Sequence, residues 1–211
     1  AVLIHLGMSG RIHGHVAGDE KRPQVAAKHD HVWLHTASGT LVSFCDPRRF
    51  GVMTLAKKDK LAEHPLLKDL GIEPLSDALT PGWLGRALAN KRVPVKVALL
   101  DQAVVVGIGN IYASEILHRA QVRPDKPACE LSAREVKAVC ESIPAILRRA
   151  IDAGGSTLRD YVQASGELGS FQNLFAVYDR EGAPCQRRGC RGTIVRTVQA
   201  GRATYFCPNC Q

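Results

Sequence analysis

The sequence predicts an α+β chain in which strands come first, helices follow, and a short cysteine-rich β segment comes last. Three observations predict it. Apolar residues alternate with period two up to about residue 55, recur at helical spacing from about Pro81, and give way to four cysteines within the last 33 residues. At 211 residues, with 45% hydrophobic and 23% charged side chains, the chain can build two or three small cores and is too apolar for wholesale disorder.

The strand region opens with Ala1-Val2-Leu3-Ile4-His5-Leu6, which begins in mid-pattern without an initiator Met. The stretch from Gly14 to Lys28 carries Gly, Lys and Pro without periodicity and reads as a loop. Val32 to Thr36, the turn Ala37-Ser38-Gly39, and Thr40 to Phe44 form a hairpin by alternation and turn chemistry. Phe50 to Leu55 adds a strand after Asp46-Pro47-Arg48-Arg49, and Lys57-Lys58-Asp59-Lys60 reads as solvated surface.

The helical region starts with Trp83, Leu84, Ala87 and Leu88 on one face, followed less cleanly by Val95, Ala98, Leu99 and Gln102. Gly107-Ile108-Gly109-Asn110 breaks the chain before a helix whose apolar members are Ile111, Ala113, Ile116, Leu117 and Ala120. Ser132 and Glu135 make a capping box for a further helix that runs to about Ala153 and stops at Gly154-Gly155. Pro144 lies inside that helix and is expected to kink or divide it, because it removes a backbone donor.

Composition narrows the function. The most apolar stretch, Val93 to Ala113, contains Lys96 and Asp101, so no membrane span is expected. The first residues lack the basic start of a secretory signal. Aromatics at 5% argue against an aromatic-rich stacking surface. The net charge of +8 favours polyanionic partners, and its placement says more. Asp179 to Gln211 holds six arginines against two acidic residues, a net +4 in 33 residues. Arginine is the better fork for phosphate oxygens.

That segment also holds Cys185-x4-Cys190 and Cys207-Pro208-Asn209-Cys210. Two short cysteine pairs on facing turns supply four soft ligands for one structural Zn2+ ion, and Gly189, Gly192 and Gly201 allow the turns. Two disulfides are the competing reading, disfavoured by the missing export signal, and a redox Cys-x-x-Cys would leave the upstream pair unexplained. Cys45, Cys129 and Cys140 are scattered and read as small buried hydrophobes.

Two loops and the glycine turn carry the remaining chemistry. Asn110 reads as an N-cap at a helix start whose free N–H groups attract phosphate, although Gly-x-Gly alone is a weak signal and lacks the context of a dinucleotide site. His5-Leu6-Gly7-Met8-Ser9-Gly10 and Asp46-Pro47-Arg48-Arg49-Phe50-Gly51 would ordinarily be packing and surface features. Beside a basic cysteine segment they read differently, since Met and Phe can wedge between base steps and Arg can hydrogen-bond an exposed base.

These blocks, in this order, together with Val106 to Ala113 and Gly201-Arg202-Ala203-Thr204-Tyr205-Phe206-Cys207-Pro208-Asn209-Cys210-Gln211, resemble the formamidopyrimidine-DNA glycosylase family of bacterial base-excision enzymes. The last block is shared with the family's endonuclease eight relatives, and Asp-Pro-Arg-Arg-Phe-Gly favours the oxidised-purine branch. The resemblance implies part of an N-terminal β-sandwich over 1–75, a helix–two-turn–helix domain over 76–172, and a C-terminal zinc-binding β-hairpin over 173–211. It implies a monomer of the bacterial cytoplasm that clamps damaged double-stranded DNA in a cleft between its lobes, removes oxidised purines such as 8-oxoguanine and formamidopyrimidines by flipping the base out, and cuts the strand by β,δ-elimination. Met8, Arg48 and Phe50 would fill the gap left by the flipped nucleotide. His29, Arg48, Lys91, Lys96, Asn110 and Arg202 would contact DNA, with Arg202 also serving the δ-elimination step. The lesion-recognition loop would lie between Asp160 and Ser170.

Family members begin with Pro-Glu, whose amine attacks the sugar, and a Lys on an early hairpin assists. The present sequence shows none of these, so it reads as N-terminally truncated and, by itself, as a chain that binds damaged DNA without cleaving it. The alternative is a non-catalytic lesion-sensing DNA-binding protein of the same fold. A zinc-ribbon protein of the translation machinery would explain the cysteines but not Met8, Arg48-x-Phe50 or Gly107 to Asn110.

Overall fold

A computed structural model describes residues 1–156 and 169–211. The chain forms two compact units, one of residues 1–64 with 153–172, the other of residues 65–152 with 173–211. The expected lesion-recognition loop lies almost wholly outside the described residues.

The first unit is built from two small antiparallel sheets. β1 (Val2–His5) pairs with β5 (Val52–Leu55), with Val2 opposite Leu55 and His5 opposite Val52. β2 (Arg11–His15) and β3 (Asp30–His35) flank β4 (Leu41–Cys45). The predicted hairpin is β3–β4, turned by Gly39 at φ +83°. The central strand is the most buried, with Leu41, Ser43 and Phe44 out of solvent. The Lys57 to Lys60 run is exposed, as its charge density requires.

The second unit holds four helices, α1 (Pro81–Leu88), α2 (Val95–Leu99), α3 (Asn110–Ala120) and α4 (Ala133–Asp152). Thr80 caps α1 by accepting from the Trp83 N–H, and Pro81 occupies a position where its missing donor costs nothing. Leu84 and Leu88 turn inward from α1, and α3 packs on α4 with Ile116 and Leu117 of the one and Val139 and Ile143 of the other all buried. The capping box forms: the Ser132 N–H donates to Glu135 Oε2 at 2.7 Å and the Glu135 N–H to Ser132 Oγ at 3.3 Å. Of the two outcomes expected of Pro144, division does not occur: α4 is one helix of 20 residues. Proline removes a single helical bond, and the buried stripe through Val136, Val139, Ile143, Ile146 and Ala150 holds the helix on both sides of it.

The cysteine segment carries the hairpin β6 (Val195–Gln199) and β7 (Arg202–Phe206), joined by Ala200 and Gly201, both at positive φ (46° and 73°). Two left-handed central residues give the tight turn that suits the twist of a two-stranded ribbon. Its small core is Val177, Cys185, Ile194, Tyr205 and Cys207. Of the remaining cysteines, Cys140 is buried as expected, Cys45 is half-buried, and Cys129 is exposed because it sits on the short 3-10 turn Ala128–Glu130.

Candidate functional site

In the first unit, one carboxylate organises the two loops. Asp46 is buried, and its Oδ1 accepts from Ser9 Oγ at 2.9 Å while its Oδ2 accepts from the Gly51 N–H at 2.7 Å. The Arg48 N–H donates to the same Ser9 hydroxyl at 3.2 Å, and the Asp46 N–H donates to the His29 carbonyl at 2.9 Å. The bond from Gly51, and after it the one from Ser9, hold the Asp46 carboxyl below the usual carboxylate range. Gly7 sits at φ +61°, and a Cβ there would lie 2.7 Å from the Phe50 carbonyl carbon, so the loops approach backbone to backbone. The frame leaves Met8 66% and Phe50 59% exposed, with the Arg48 guanidinium 5.2 Å from the Phe50 ring centre. Met8, His29, Arg48 and Phe50 therefore lie on one hydrogen-bonded loop frame.

In the second unit, the start of α3 is fastened to the tip of the β6–β7 hairpin. Gly107 takes φ +77°, and its N–H donates to Gln102 Oε1 at 2.8 Å, which fixes the turn before the helix. Gly109 is the cap residue, and Asn110 is the first helical residue rather than the N-cap. Its side chain is thereby free for tertiary bonds. Asn110 Nδ2 donates to the Ala203 carbonyl at 2.9 Å, and Oδ1 accepts from Lys96 Nζ at 2.6 Å.

Lys96 is fully buried and directs its ammonium to Asn110, the Ala203 carbonyl (2.9 Å) and Thr204 Oγ1 (2.8 Å). Burial, and secondarily the nearby Arg202 charge, pull its pKa down to about 8. Arg202 is exposed, with no side-chain hydrogen bond or ion pair among the described residues. Lys91 is half-buried and paired with Asp101 at 2.8 Å. Asn110, Lys96 and Arg202 form one cluster at the hairpin tip, while Lys91 is engaged through Asp101 near the end of α2.

The four cysteines converge as their spacing predicts. Their sulfurs lie within 4.8 Å of one another, with Cys185 and Cys210 at 3.8 Å and Cys190 and Cys207 at 3.6 Å, far beyond disulfide bonding distance. The Gly192 N–H and the Asn209 amide draw the Cys190 thiol down to about 6, while burial pushes Cys185 up and, with the neighbouring thiols, Cys210 up to about 12. Four converging sulfurs of this kind cannot all ionise without a cation among them, so the donor set fits a four-thiolate Zn2+ ion. Gly192 is needed for close approach, since a Cβ there would lie 2.5 Å from Cys207 Sγ.

Several supporting residues escape sequence reasoning. Ser9, Gln102 and Thr204 look like ordinary polar residues. Glu115 is buried on α3, its carboxylate accepting the N–H groups of Ala176, Val177 and Tyr178, each at 2.9 Å. A charged residue between Ala113 and Ile116 on an apolar face was the available signal. His118, also buried on α3, faces the cysteines.

A helix pair entered through a glycine turn, fastened to a hairpin rooted in a four-cysteine zinc cage, defines a zinc-finger protein of the helix–two-turn–helix class. Three family models match this chain: the formamidopyrimidine-DNA glycosylase N-terminal domain over residues 1–53, the formamidopyrimidine-DNA glycosylase H2TH domain over 70–162, and the zinc finger found in FPG and IleRS over 182–211. Formamidopyrimidine-DNA glycosylase of Paracoccus denitrificans is 53% identical over 214 residues, covering 100% of this chain and 75% of that protein. The Gluconobacter oxydans enzyme of the same name is 48% identical with the same coverage. Among solved structures, the MutM (Fpg) protein of Thermus thermophilus superposes with a TM-score of 0.83 at 40% identity, covering 100% of this chain and 75% of that one. Lactococcus lactis Fpg in complex with abasic-site DNA gives 0.84 at 33% identity, covering 100% and 74%. The chain belongs to the formamidopyrimidine-DNA glycosylase family.

Proposed function

We propose that the protein is a base-excision DNA glycosylase and abasic-site lyase that acts as a monomer in the bacterial cytoplasm on oxidised purines, 8-oxoguanine and formamidopyrimidines, in duplex DNA. The observation that carries this reading is the junction at the start of α3, where Asn110 is bonded to the hairpin tip next to the free guanidinium of Arg202. A helix start and an unpaired Arg fixed side by side make a phosphate grip, the helix through N–H groups and the Arg through its fork. Lys96 serves the same grip by setting the Asn110 amide rather than by reaching out, and Lys91, paired with Asp101, would reach DNA only by exchanging that partner for a phosphate.

On the other unit, Met8 and Phe50 are already in water, so inserting them into the gap left by a flipped nucleotide releases apolar surface from solvent. Arg48, whose guanidinium lies over the Phe50 ring, would pair with the orphaned cytosine, and His29, bonded to the same frame through its carbonyl, would contact the DNA. The zinc ion held by Cys185, Cys190, Cys207 and Cys210 is structural: it roots the hairpin that presents Arg202, and all four positions are filled by protein. Strand cleavage proceeds by β- and then δ-elimination, the second step served by Arg202. The Lactococcus lactis neighbours hold abasic-site DNA and a formamidopyrimidine-deoxyguanosine DNA, which supports this substrate class.

The reaction needs an amine at the sugar carbon, and by the family resemblance that amine belongs to a Pro-Glu dipeptide that these 211 residues do not contain. Borohydride trapping on a duplex with 8-oxoguanine opposite cytosine tests this. The 211-residue polypeptide is expected to bind the duplex without a covalent adduct, and a fusion carrying the N-terminal segment of the Paracoccus denitrificans relative is expected to form one. An adduct from the 211 residues alone would overturn the nucleophile assignment. A folded fusion that binds but never traps would leave only the lesion-sensing reading.

A further inference from the structure

His118 is buried inside the second unit, with Nε2 3.4 Å from Cys185 Sγ and 3.9 Å from Cys210 Sγ. It projects from the last turns of α3, the helix that begins at Asn110. Eight residues along that helix, about 12 Å of axis, separate the group fastened to the hairpin tip from the group facing the zinc cage. The Arg187 guanidinium, two residues after Cys185, donates back to the carbonyls of His118 and Arg119. The cysteine segment and α3 are thus joined at the hairpin tip, through Glu115 at mid-helix, and at the cage itself.

A cage of four thiolates around Zn2+ carries a formal charge of about −2, and N–H donors to sulfur are what a protein supplies to offset it. Cys190 has two, the Gly192 N–H at 3.4 Å and Asn209 Nδ2 at 3.3 Å. On the other side of the cage, Cys185 takes the Arg187 backbone N–H, and His118 is the side chain that faces both Cys185 and Cys210. A metal-bound thiolate can only accept, so the nitrogen that faces it must carry the hydrogen.

We propose that His118 is a positioning residue of the zinc centre: it donates its Nε2–H to the Cys185 sulfur and couples metal retention to the helix that carries Asn110. A histidine buried only for packing would fill the same volume without that bond. A histidine that itself took a place on the metal would displace a cysteine from the ligand set.

The inference rests on the four-cysteine zinc site, so the zinc content of the unmutated protein is read first; a value far from one per chain defeats that site reading rather than the role of His118. On zinc-loaded protein, His118→Phe keeps the volume and removes the donor, whereas His118→Gln keeps an N–H. Transfer of zinc to a colorimetric chelator is expected to be about tenfold faster in the Phe variant, the scale of effect that outer-shell partners exert, and near the unmutated rate in the Gln variant. With Co2+ in place of zinc, the sulfur-to-metal charge-transfer band is expected to move to lower energy in the Phe variant while the four-sulfur ligand-field bands stay unchanged. In the presence of the chelator, the Phe variant should lose duplex binding at an earlier time than the unmutated chain. A folded Phe variant with unchanged zinc transfer and an unchanged charge-transfer band overturns the proposal. Ligand-field bands that change on removing His118 also overturn it, because they make the imidazole a direct ligand.

Discussion

Asp46 and Lys96 show how single buried polar groups set the two candidate surfaces. Asp46 has its carboxyl pKa lowered by the Gly51 and Ser9 bonds, so its folded value lies below its unfolded one. Its contribution is therefore fully present above the ordinary carboxylate pKa near 4 and is lost as pH falls through the folded value. Urea unfolding of the unmutated chain and Asp46→Asn from pH 6 to pH 3 checks this: the two midpoints should differ at pH 6 and converge at the acid end. Lys96 gives the same sign of slope in a different window, because its folded pKa of about 8 also lies below the model-peptide value of 10.5. Between those values the unfolded chain binds more protons, so stability from this group rises with pH across that window. Lys96→Met leaves Asn110 Oδ1, the Ala203 carbonyl and Thr204 short of a donor, at a cost on the order of 3 kcal/mol by chemical denaturation. The gap between the two proteins should be larger at pH 9.5 than at pH 7.

Among the elements, the β6–β7 hairpin depends most on something outside its own strands. Five residues per strand and one tight turn make a ribbon that is marginal in isolation. It is held by the cysteine cage at its base and by Asn110 and Lys96 at its tip. Cys207→Ser should lower zinc content, measured by metal analysis, well below one per chain. The same variant should bind an abasic-site duplex about tenfold or more weakly, since the energy that binds the metal also folds the hairpin carrying Arg202. Full zinc content in that variant would sink the four-cysteine assignment. By contrast, the capping box and buried stripe of α4 keep it one helix through Pro144, where the local proline rule alone foresaw a kink or a break.

For the molecule as a whole, the net charge is +8, and the three basic candidates of the second unit hold their charge in different ways. Lys91 is neutralised by Asp101 and Lys96 is buried, whereas Arg202, exposed at the hairpin tip, has no ion pair among the described residues. Arg202→Ala should weaken binding to duplexes of any sequence and reduce the slope of log affinity against log salt by about one. Titrations at several salt concentrations read this directly, and an unchanged slope would remove Arg202 from the phosphate contacts.

The sequence by itself determined the features that local chemistry encodes. The cysteine spacing fixed the four metal ligands, period and turn residues fixed the β3–β4 hairpin, and Ser132 with Glu135 fixed the start of α4. The ordered blocks carried the family, because each holds a run of residues whose spacing survives reading in one dimension. Only the tertiary structure decided which polar groups are buried and with what. Lys96 meets Ala203 across 107 residues of chain, Ser9 meets Asp46 across 37, and His118 meets Cys185 across 67. A buried polar side chain is tolerable only where a partner satisfies it, and these partners come from distant segments that the local pattern does not reveal. A lysine that reads as a phosphate contact, and an asparagine that reads as a cap, thus take their places in a hydrogen-bonded junction that forms only once the hairpin has folded back onto the helices.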